Sequence, residues 1–250
     1  MFALFLLGGL VVNLIPIYLQ RAKIAAGLAE APDQLKVQAF GAMYHSEAIG
    51  EFLAKCPTLV YFLFEGTMSF LPLFILLVGF DQIAGDIQHR TIRYSAGRAD
   101  RISIVTGKAL GVWAVNVIMI FVLHLTVWVV LMAQGMSAGL VLSWGLRLWL
   151  ITAVSAASYV GFTMVMSALV RTPVVALFMG AGIGFALWIT TKILMYFETA
   201  RPAAWILPGS YVELAVSPEP ARFIGGLAAY LAWGAAMTAL AALLIRRKDI

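Results

Sequence analysis

The stretch that decides the fold is TLVYFLFEGTMSFLPLFILLVGF, residues 58–80. It contains a single charged side chain, Glu65, and is otherwise almost entirely apolar. A helix of roughly 20 apolar residues crosses a bilayer core about 30 Å thick. The stretch is long enough for that crossing, so it is predicted to be a membrane-spanning helix.

The same criterion finds five more stretches and therefore predicts six spans. The other five cover residues 2–19, 109–133, 146–170, 173–197 and 223–245. The composition agrees, because only 12% of the residues are charged, against about 25% in an ordinary soluble domain. Most of such a chain must face lipid. We expect an all-α, polytopic membrane protein built as one domain over residues 1–250.

The loop charges predict the orientation of the chain. Lys and Arg are concentrated in cytoplasmic loops of membrane proteins. Nine basic residues fall on one side of the predicted bundle: Arg90, Arg93, Arg98, Arg101, Lys108, Arg171, Arg246, Arg247 and Lys248. In residues 20–57, on the other side, basic and acidic residues balance. We expect both termini in the cytoplasm and a multi-pass protein of the cell inner membrane, and the net charge of +5 gives no reason to invoke nucleic acid.

Two segments between spans are predicted to lie on the outer side. Residues 20–57 have mixed polarity and include good helix formers, so some helix is expected there. Residues 198–222 contain four prolines, which predict short, broken helices. The first span begins at Met1 with no basic residue ahead of it. A signal peptide would need a charged n-region and a small-residue cleavage site, so a span is favoured, while the position of the natural start stays open.

The loop between the second and third spans lies within residues 78–111, VGFDQIAGDIQHRTIRYSAGRADRISIVTGKALG. Phe80, Ile83, Ala84 and Ile87 are spaced by three and four residues, which predicts one apolar face of a short helix along the membrane surface. The other faces carry charged side chains. This pattern fits a helix that offers charges to a soluble partner, and it also fits a solvated basic loop that only sets orientation.

This loop resembles the corresponding loop of type-2 ABC exporter permeases. Their pattern is an acidic pair around Ile-x-Gly, then Gly-Thr-Leu/Ile-Arg, then an arginine followed seven residues later by the lysine of Gly-Lys. The matching residues are Asp81, Ile83, Gly85, Asp86, Thr91, Ile92, Arg93, Arg101, Gly107 and Lys108. The chain departs from the pattern at His89-Arg90, where the family has Ser/Gly-Gly. It also departs in residues 97–100, because the family usually has a proline in the turn before the arginine matched by Arg101.

The resemblance implies a transport subunit that is not an enzyme, in which the loop helix couples the spans to a cytoplasmic ABC ATPase. It implies coupling roles for Asp81, Asp86, Arg90, Arg93, Arg101 and Lys108. It also implies ATP and Mg bound by that ATPase, a second permease copy or homologue, and contact with membrane lipids. The residues agree, because Ile102 stands where a Walker A motif before Gly107-Lys108 needs glycine, so no ATP site is predicted in this chain.

Polar residues near membrane depth are further candidates, because ionisable groups there are costly. Glu65 could line a substrate path or gate, or pair with another helix. Asn116 is expected to hydrogen-bond to a neighbouring helix, and His124 to be a packing residue rather than a metal ligand. Residues 207–211, with Pro208 and Tyr211, resemble an outer gate region of the same family, and an ordinary turn is the equal alternative.

Two other classes of membrane protein, intramembrane enzymes and secondary transporters, have weaker support in the sequence. A serine protease of the membrane would need Gly-x-Ser-x-Gly chemistry with a histidine on a facing helix, but Ser155 and Ser158 lack the flanking glycines and His124 has no supporting residue nearby. A zinc peptidase would need His-Glu-x-x-His, which the sequence lacks. A secondary transporter would be indicated by a pair of broken helices in two repeats, which is not visible. The single cysteine excludes a disulfide within the chain. A permease subunit of an ATP-driven exporter remains the favoured interpretation.

Overall fold

A computed structural model describes residues 31–89, 91 and 100–247. These residues form helices and connecting turns without a strand, so the all-α prediction is confirmed for them. The first predicted span, residues 2–19, lies outside the described residues, as do Arg90, Arg93, Arg98 and Lys248. The helices are α1 Asp33–Tyr44, α2 Glu47–Ala54, α3 Thr58–Gly79, α4 Ala84–Gln88, α5 Arg101–Ala133, α6 Ala138–Leu169, α7 Pro173–Tyr196, α8 Arg201–Ala204, α9 Tyr211–Ala215 and α10 Pro220–Arg246.

Five of these helices, α3, α5, α6, α7 and α10, are long and apolar enough to cross a membrane, and they coincide with five of the six predicted spans. The chain is therefore a multi-pass membrane protein. Two helices begin about two turns earlier than predicted, α5 at Arg101 rather than residue 109 and α6 at Ala138 rather than residue 146. A helix continues past its apolar stretch because its backbone hydrogen bonds do not depend on lipid. At 1.5 Å per residue the 33 residues of α5 extend about 50 Å, beyond a 30 Å hydrocarbon core.

The early start of α5 changes the assignment of Lys108. The third span is predicted to begin at residue 109, which leaves this lysine just ahead of it. The structure places it two turns inside α5, on a regular backbone. Its side chain therefore projects from a rigid element, which matters for the site described below.

Helix α6 is the most buried of the five candidate spans. In its most apolar stretch 72% is buried inside the protein, against 17% for α7. Small residues explain this difference, because they let neighbouring helices approach closely in lipid. On α6 Ser155, Ala156 and Ser158 are fully buried. Helix α7 instead exposes large apolar side chains such as Phe178 and Trp188, which suits contact with lipid.

The described residues pack as two compact units, each described by itself. The first takes in the described part of Met1–Phe70 with Ile118–Ala153 and Glu213–Gly225. The second takes in the described parts of Leu71–Val117, Val154–Val212 and Gly226–Ile250.

In the first unit, α1 and α2 form a tight helical pair ahead of α3. A Cβ on Gly50 of α2 would lie 2.5 Å from the backbone oxygen of Val37, so only glycine permits this crossing. The hydroxyl groups of Tyr44 on α1 and Tyr61 on α3 are 3.1 Å apart, which joins the pair to the span. The expectation of helix within residues 20–57 is confirmed for its described part.

The proline-rich segment 198–222 contains α8, a 3₁₀ turn over Pro208–Ser210, and α9. Each is five residues or shorter, as the density of prolines predicted. Proline favours the first turn of a helix and interrupts a longer one, because it has no N–H to donate. The prediction of short, broken helices is confirmed.

In the second unit, α6 and α10 come into backbone contact. A Cβ on Gly161 would lie 2.5 Å from the carbonyl oxygen of Gly234, and one on Gly234 would lie 2.6 Å from that of Ala157. The hydroxyl of Ser158 donates a hydrogen bond to the carbonyl oxygen of Tyr230 at 2.7 Å. Glycine and serine therefore fix the distance between these two helices.

Replacement of Gly234 by alanine should push α10 away from α6. We expect Gly234→Ala to destabilise the protein by about 1–3 kcal/mol, the usual cost of overpacking, and to lower its unfolding temperature in detergent. Gly225→Ala, on the same helix, is the control, because no atom lies within 4 Å of its new methyl group. Equal unfolding temperatures for the two variants would contradict the close contact.

Candidate functional site

The candidate site is the short helix α4, in the loop to which the coupling role was assigned. Ile83 and Ala84 are 2% and 0% exposed, whereas Asp81 and His89 are exposed. This division follows the apolar and charged faces read from the sequence. The helix itself is only five residues long, and it follows a turn at the end of α3. Such a short helix is not stable alone, so its position depends on what holds it.

Ser167, near the end of α6, holds the turn that leads into α4. Its hydroxyl accepts hydrogen bonds from the backbone N–H groups of Ile83, at 3.1 Å, and Ala84, at 2.9 Å. The same hydroxyl donates to the carbonyl oxygen of Phe80 at 2.8 Å. Ser167 is 0% exposed, so water does not compete for these bonds. One side chain of α6 thus satisfies three backbone groups around the start of α4.

Lys108 holds the same turn and helix from α5. Its Nζ lies 2.9 Å from a carboxylate oxygen of Asp86 on α4 and donates to the carbonyl oxygen of Gln82 at 2.6 Å. The side chains of Asp86 and Lys108 are 24% and 27% exposed, which limits screening by water. Thr91 also donates to the Asp86 carboxylate, at 3.1 Å. The pair therefore ties α4 to α5 through a geometrically defined contact rather than a loose surface pair.

Helix α4 also contacts the start of α7. A Cβ on Gly85 would lie 4.0 Å from Cγ of Pro173, the first residue of α7. This distance is ordinary van der Waals contact, so α4 lies directly beside the start of α7. Three helices of the second unit, α5, α6 and α7, therefore contact the five residues of α4 or the turn before it.

Arg101 contacts the end of α10. Its guanidinium donates to the carbonyl oxygens of Ile245 and Arg246, both at 3.2 Å, at the end of α10. The last carbonyls of a helix lack partners within the helix and carry partial negative charge, so a guanidinium stabilises them. Nearby, Asp100 accepts a hydrogen bond from the N–H of Ile102 at 3.3 Å, which helps to begin α5.

Of the six residues given coupling roles, the structure brings Asp86 and Lys108 into direct contact and leaves Asp81 exposed on the adjoining turn. Arg101 contacts the end of α10. Arg90 and Arg93 lie outside the described residues. The sequence analysis missed Ser167, because a serine near the end of an apolar helix carries no pattern that reveals its partner.

The polar residues predicted within the spans differ in their surroundings. The hydroxyl of Thr67 lies 3.3 Å from Nε2 of His124, which packs as a buried, hydrogen-bonded side chain. No group of three metal-ligating side chains occurs in the described ranges. Glu65 is half-buried on α3. The expectation for Asn116 is wrong: its amide donates to Val112 on its own helix at 2.8 Å, and its buried Oδ1 has no partner among the described residues.

The candidate gate segment is packed rather than loose. Pro208 is buried, and the ring of Tyr211 lies 5.4 Å from that of Tyr230 on α10, edge to face. Burial raises the pKa of the Tyr211 hydroxyl. The indole N–H of Trp233 donates to the carbonyl oxygen of Ile206 at 3.2 Å. The segment is thus attached to α10 by aromatic and hydrogen-bonded contacts.

Removal of the Ser167 hydroxyl should loosen α4. In Ser167→Ala the N–H groups of Ile83 and Ala84 lose their acceptor, and each buried unpaired group costs about 1–3 kcal/mol. We expect faster amide hydrogen exchange in peptides covering residues 80–89, measured by mass spectrometry. Ser143→Ala is the control, because that exposed hydroxyl bonds only to Leu140 of its own helix. Unchanged exchange at residues 83 and 84 would contradict the anchoring role.

A comparison with protein-family models gives a match to the ABC-2 family transporter protein model over residues 2–250. A search among curated proteins finds no significant match. The matched range covers nearly the whole chain, and the five apolar helices fit a membrane permease. The chain belongs to the ABC-2 family of transporter proteins, as the resemblance to type-2 ABC permeases implied.

Proposed function

We propose that this chain is the permease subunit of an ATP-driven exporter and that a separate cytoplasmic ABC ATPase hydrolyses the ATP. Family membership supports a membrane permease of an ABC transporter, a transport subunit that is not itself catalytic. ABC-2 permeases normally work with an ABC ATPase. In this proposal ATP and Mg are bound by that partner.

The proposed architecture has six spans in a single domain, residues 1–250, with both termini in the cytoplasm of a cell inner membrane. The nine basic residues on one side of the predicted bundle support this orientation. It places α4 on the cytoplasmic side, where a soluble ATPase can reach it. A second permease copy or homologue completes the transporter, with membrane lipids around it.

The observation that carries the coupling proposal is the attachment of α4 to α5, α6 and α7. A loop that only sets orientation would need charge but no buried backbone bonds. Here a buried serine and a partly buried ion pair fix the position of the helix. A displacement applied to α4 would therefore move the ends of several spans, because packed and hydrogen-bonded elements shift together.

The same contacts divide the proposed coupling residues into three roles. Asp86 and Lys108 hold α4 against α5, since each is the other's partner. Asp81, exposed on the turn, is assigned to the surface that meets the ATPase, together with Arg90 and Arg93. Arg101 is assigned to the link between α5 and the end of α10. The six charged residues therefore do not form one docking surface. They form a clamp on α4, a surface for the ATPase and a link from α5 to α10.

The substrate path is proposed to involve Glu65, Pro208 and Tyr211. A half-buried carboxylate on an apolar span supports a role in the path, because such groups are costly to keep there. The packing of Tyr211 on α10 supports a gate that moves with this span.

A charge exchange tests the clamp. Asp86→Lys and Lys108→Glu each place like charges together, so we expect each to lower the ATPase activity of the reconstituted complex by about threefold or more. The double variant restores an opposite pair and should recover much of that activity. The activity is measured in proteoliposomes that contain the ATPase identified by co-purification with the tagged chain.

The control exchange uses Asp33 and Lys36, an ion pair at 3.5 Å on α1. Reversal of either control charge should leave the ATPase activity unchanged. A double Asp86→Lys/Lys108→Glu variant no better than its singles would contradict the clamp assignment.

Charge reversal at the proposed contact surface tests the partner. Asp81→Lys should reduce the ATPase recovered with the tagged chain and make that recovery less sensitive to added salt, because the substitution removes an attraction that salt screens. Asp33→Lys is the matched control, since this carboxylate is 90% exposed on α1. If no ATPase is recovered with the unaltered chain, the proposed two-component exporter fails.

A further inference from the structure

Arg147 is a charged side chain inside a membrane-spanning helix that the sequence analysis did not single out. It lies in the first third of α6, within the first compact unit. Its side chain is half-buried. A cation in such a place is costly unless other groups compensate its charge.

Two aromatic rings and one carbonyl group hold the guanidinium. Its Cζ lies 4.7 Å from the ring centroid of Phe52 on α2 and 4.5 Å from that of Phe223 on α10. One terminal nitrogen donates to the carbonyl oxygen of Ser217 at 2.6 Å. Cation–π contacts attract the charge but leave its N–H groups without acceptors. The guanidinium is therefore fixed in place, but only part of its N–H groups have acceptors.

The unsatisfied part of the guanidinium points to an anion. Arginine offers five N–H donors, and only the bond to Ser217 is made within the described residues. Its Nε is buried and has no hydrogen-bond partner there. No carboxylate oxygen of the described residues lies within 4.0 Å of the guanidinium nitrogens of Arg147, the distance that defines an ion pair. Nearby Arg222, in contrast, pairs with Glu219 at 2.9 Å.

We propose that Arg147 binds the phosphate group of an amphiphile. The guanidinium fork matches two phosphate oxygens, and a phosphate would supply both the missing acceptors and the missing charge. The surroundings fit an amphiphile, because Phe52 also packs on Trp144 at 4.7 Å, and tryptophan favours the region between lipid tails and head groups. The site lies in the first unit and does not depend on the coupling role proposed for α4.

The test uses the full chain purified in detergent, without an ATPase. Its unfolding temperature is measured during titration with phosphatidylglycerol, with diacylglycerol, which lacks the phosphate, and with inorganic phosphate. We expect phosphatidylglycerol to stabilise the unaltered chain and diacylglycerol not to. Arg147→Gln should weaken the apparent affinity for phosphatidylglycerol about tenfold or more, the usual loss for a charge-assisted hydrogen bond.

Arg222→Gln is the matched control, an exposed arginine of the same unit, and it should bind phosphatidylglycerol like the unaltered chain. Stabilisation by inorganic phosphate at equal concentration would assign the site to a soluble phosphate compound and overturn the amphiphile. Equal stabilisation by diacylglycerol, or equal affinity in Arg147→Gln, would overturn the site. If Arg147→Gln does not fold, Arg147→Lys keeps the charge but not the fork, and an unchanged affinity there would overturn the bidentate contact.

Discussion

The hydroxyl of Ser167 joins the end of α6 to three backbone groups at the start of α4, and the loop helix depends on this contact. A five-residue helix cannot persist by its own hydrogen bonds, because its first turn is costly to form. The serine supplies acceptors for N–H groups that the helix cannot satisfy itself. Burial makes this contact firm, since water cannot replace it. The clamp from Lys108 then fixes the other side of the same helix.

Lipid as the solvent explains much of the remaining pattern. Helix α7 exposes Phe178, Phe185 and Trp188. Such a surface would favour aggregation in water, whereas in a membrane it contacts hydrocarbon without cost. Contacts between helices therefore cannot rely on excluding apolar surface from water. They rely on close backbone approach at Gly161 and Gly234 and on a hydroxyl such as that of Ser158.

Several polar side chains in the spans donate to a carbonyl oxygen of their own helix. Thr152 and Thr163 donate to carbonyl oxygens four residues earlier on their own helix, as Asn116 does. Such bonds cost little because the helix already presents the carbonyl. Arg147 is too long and too highly charged for this solution. It reaches instead to aromatic rings and to a carbonyl of another segment.

The sequence by itself determined five described spans, the faces of α4 and the short helices of residues 198–222. Each depends on local properties: the length of an apolar run, the three- and four-residue spacing within Phe80, Ile83, Ala84 and Ile87, and the density of prolines. Only the tertiary structure decided that Lys108 faces Asp86 and that Ser167 meets the turn before α4. These partners are far apart in the chain, and their contact follows from how the helices pack. A serine or an arginine has the same local pattern whether or not a distant residue receives its hydrogen bond.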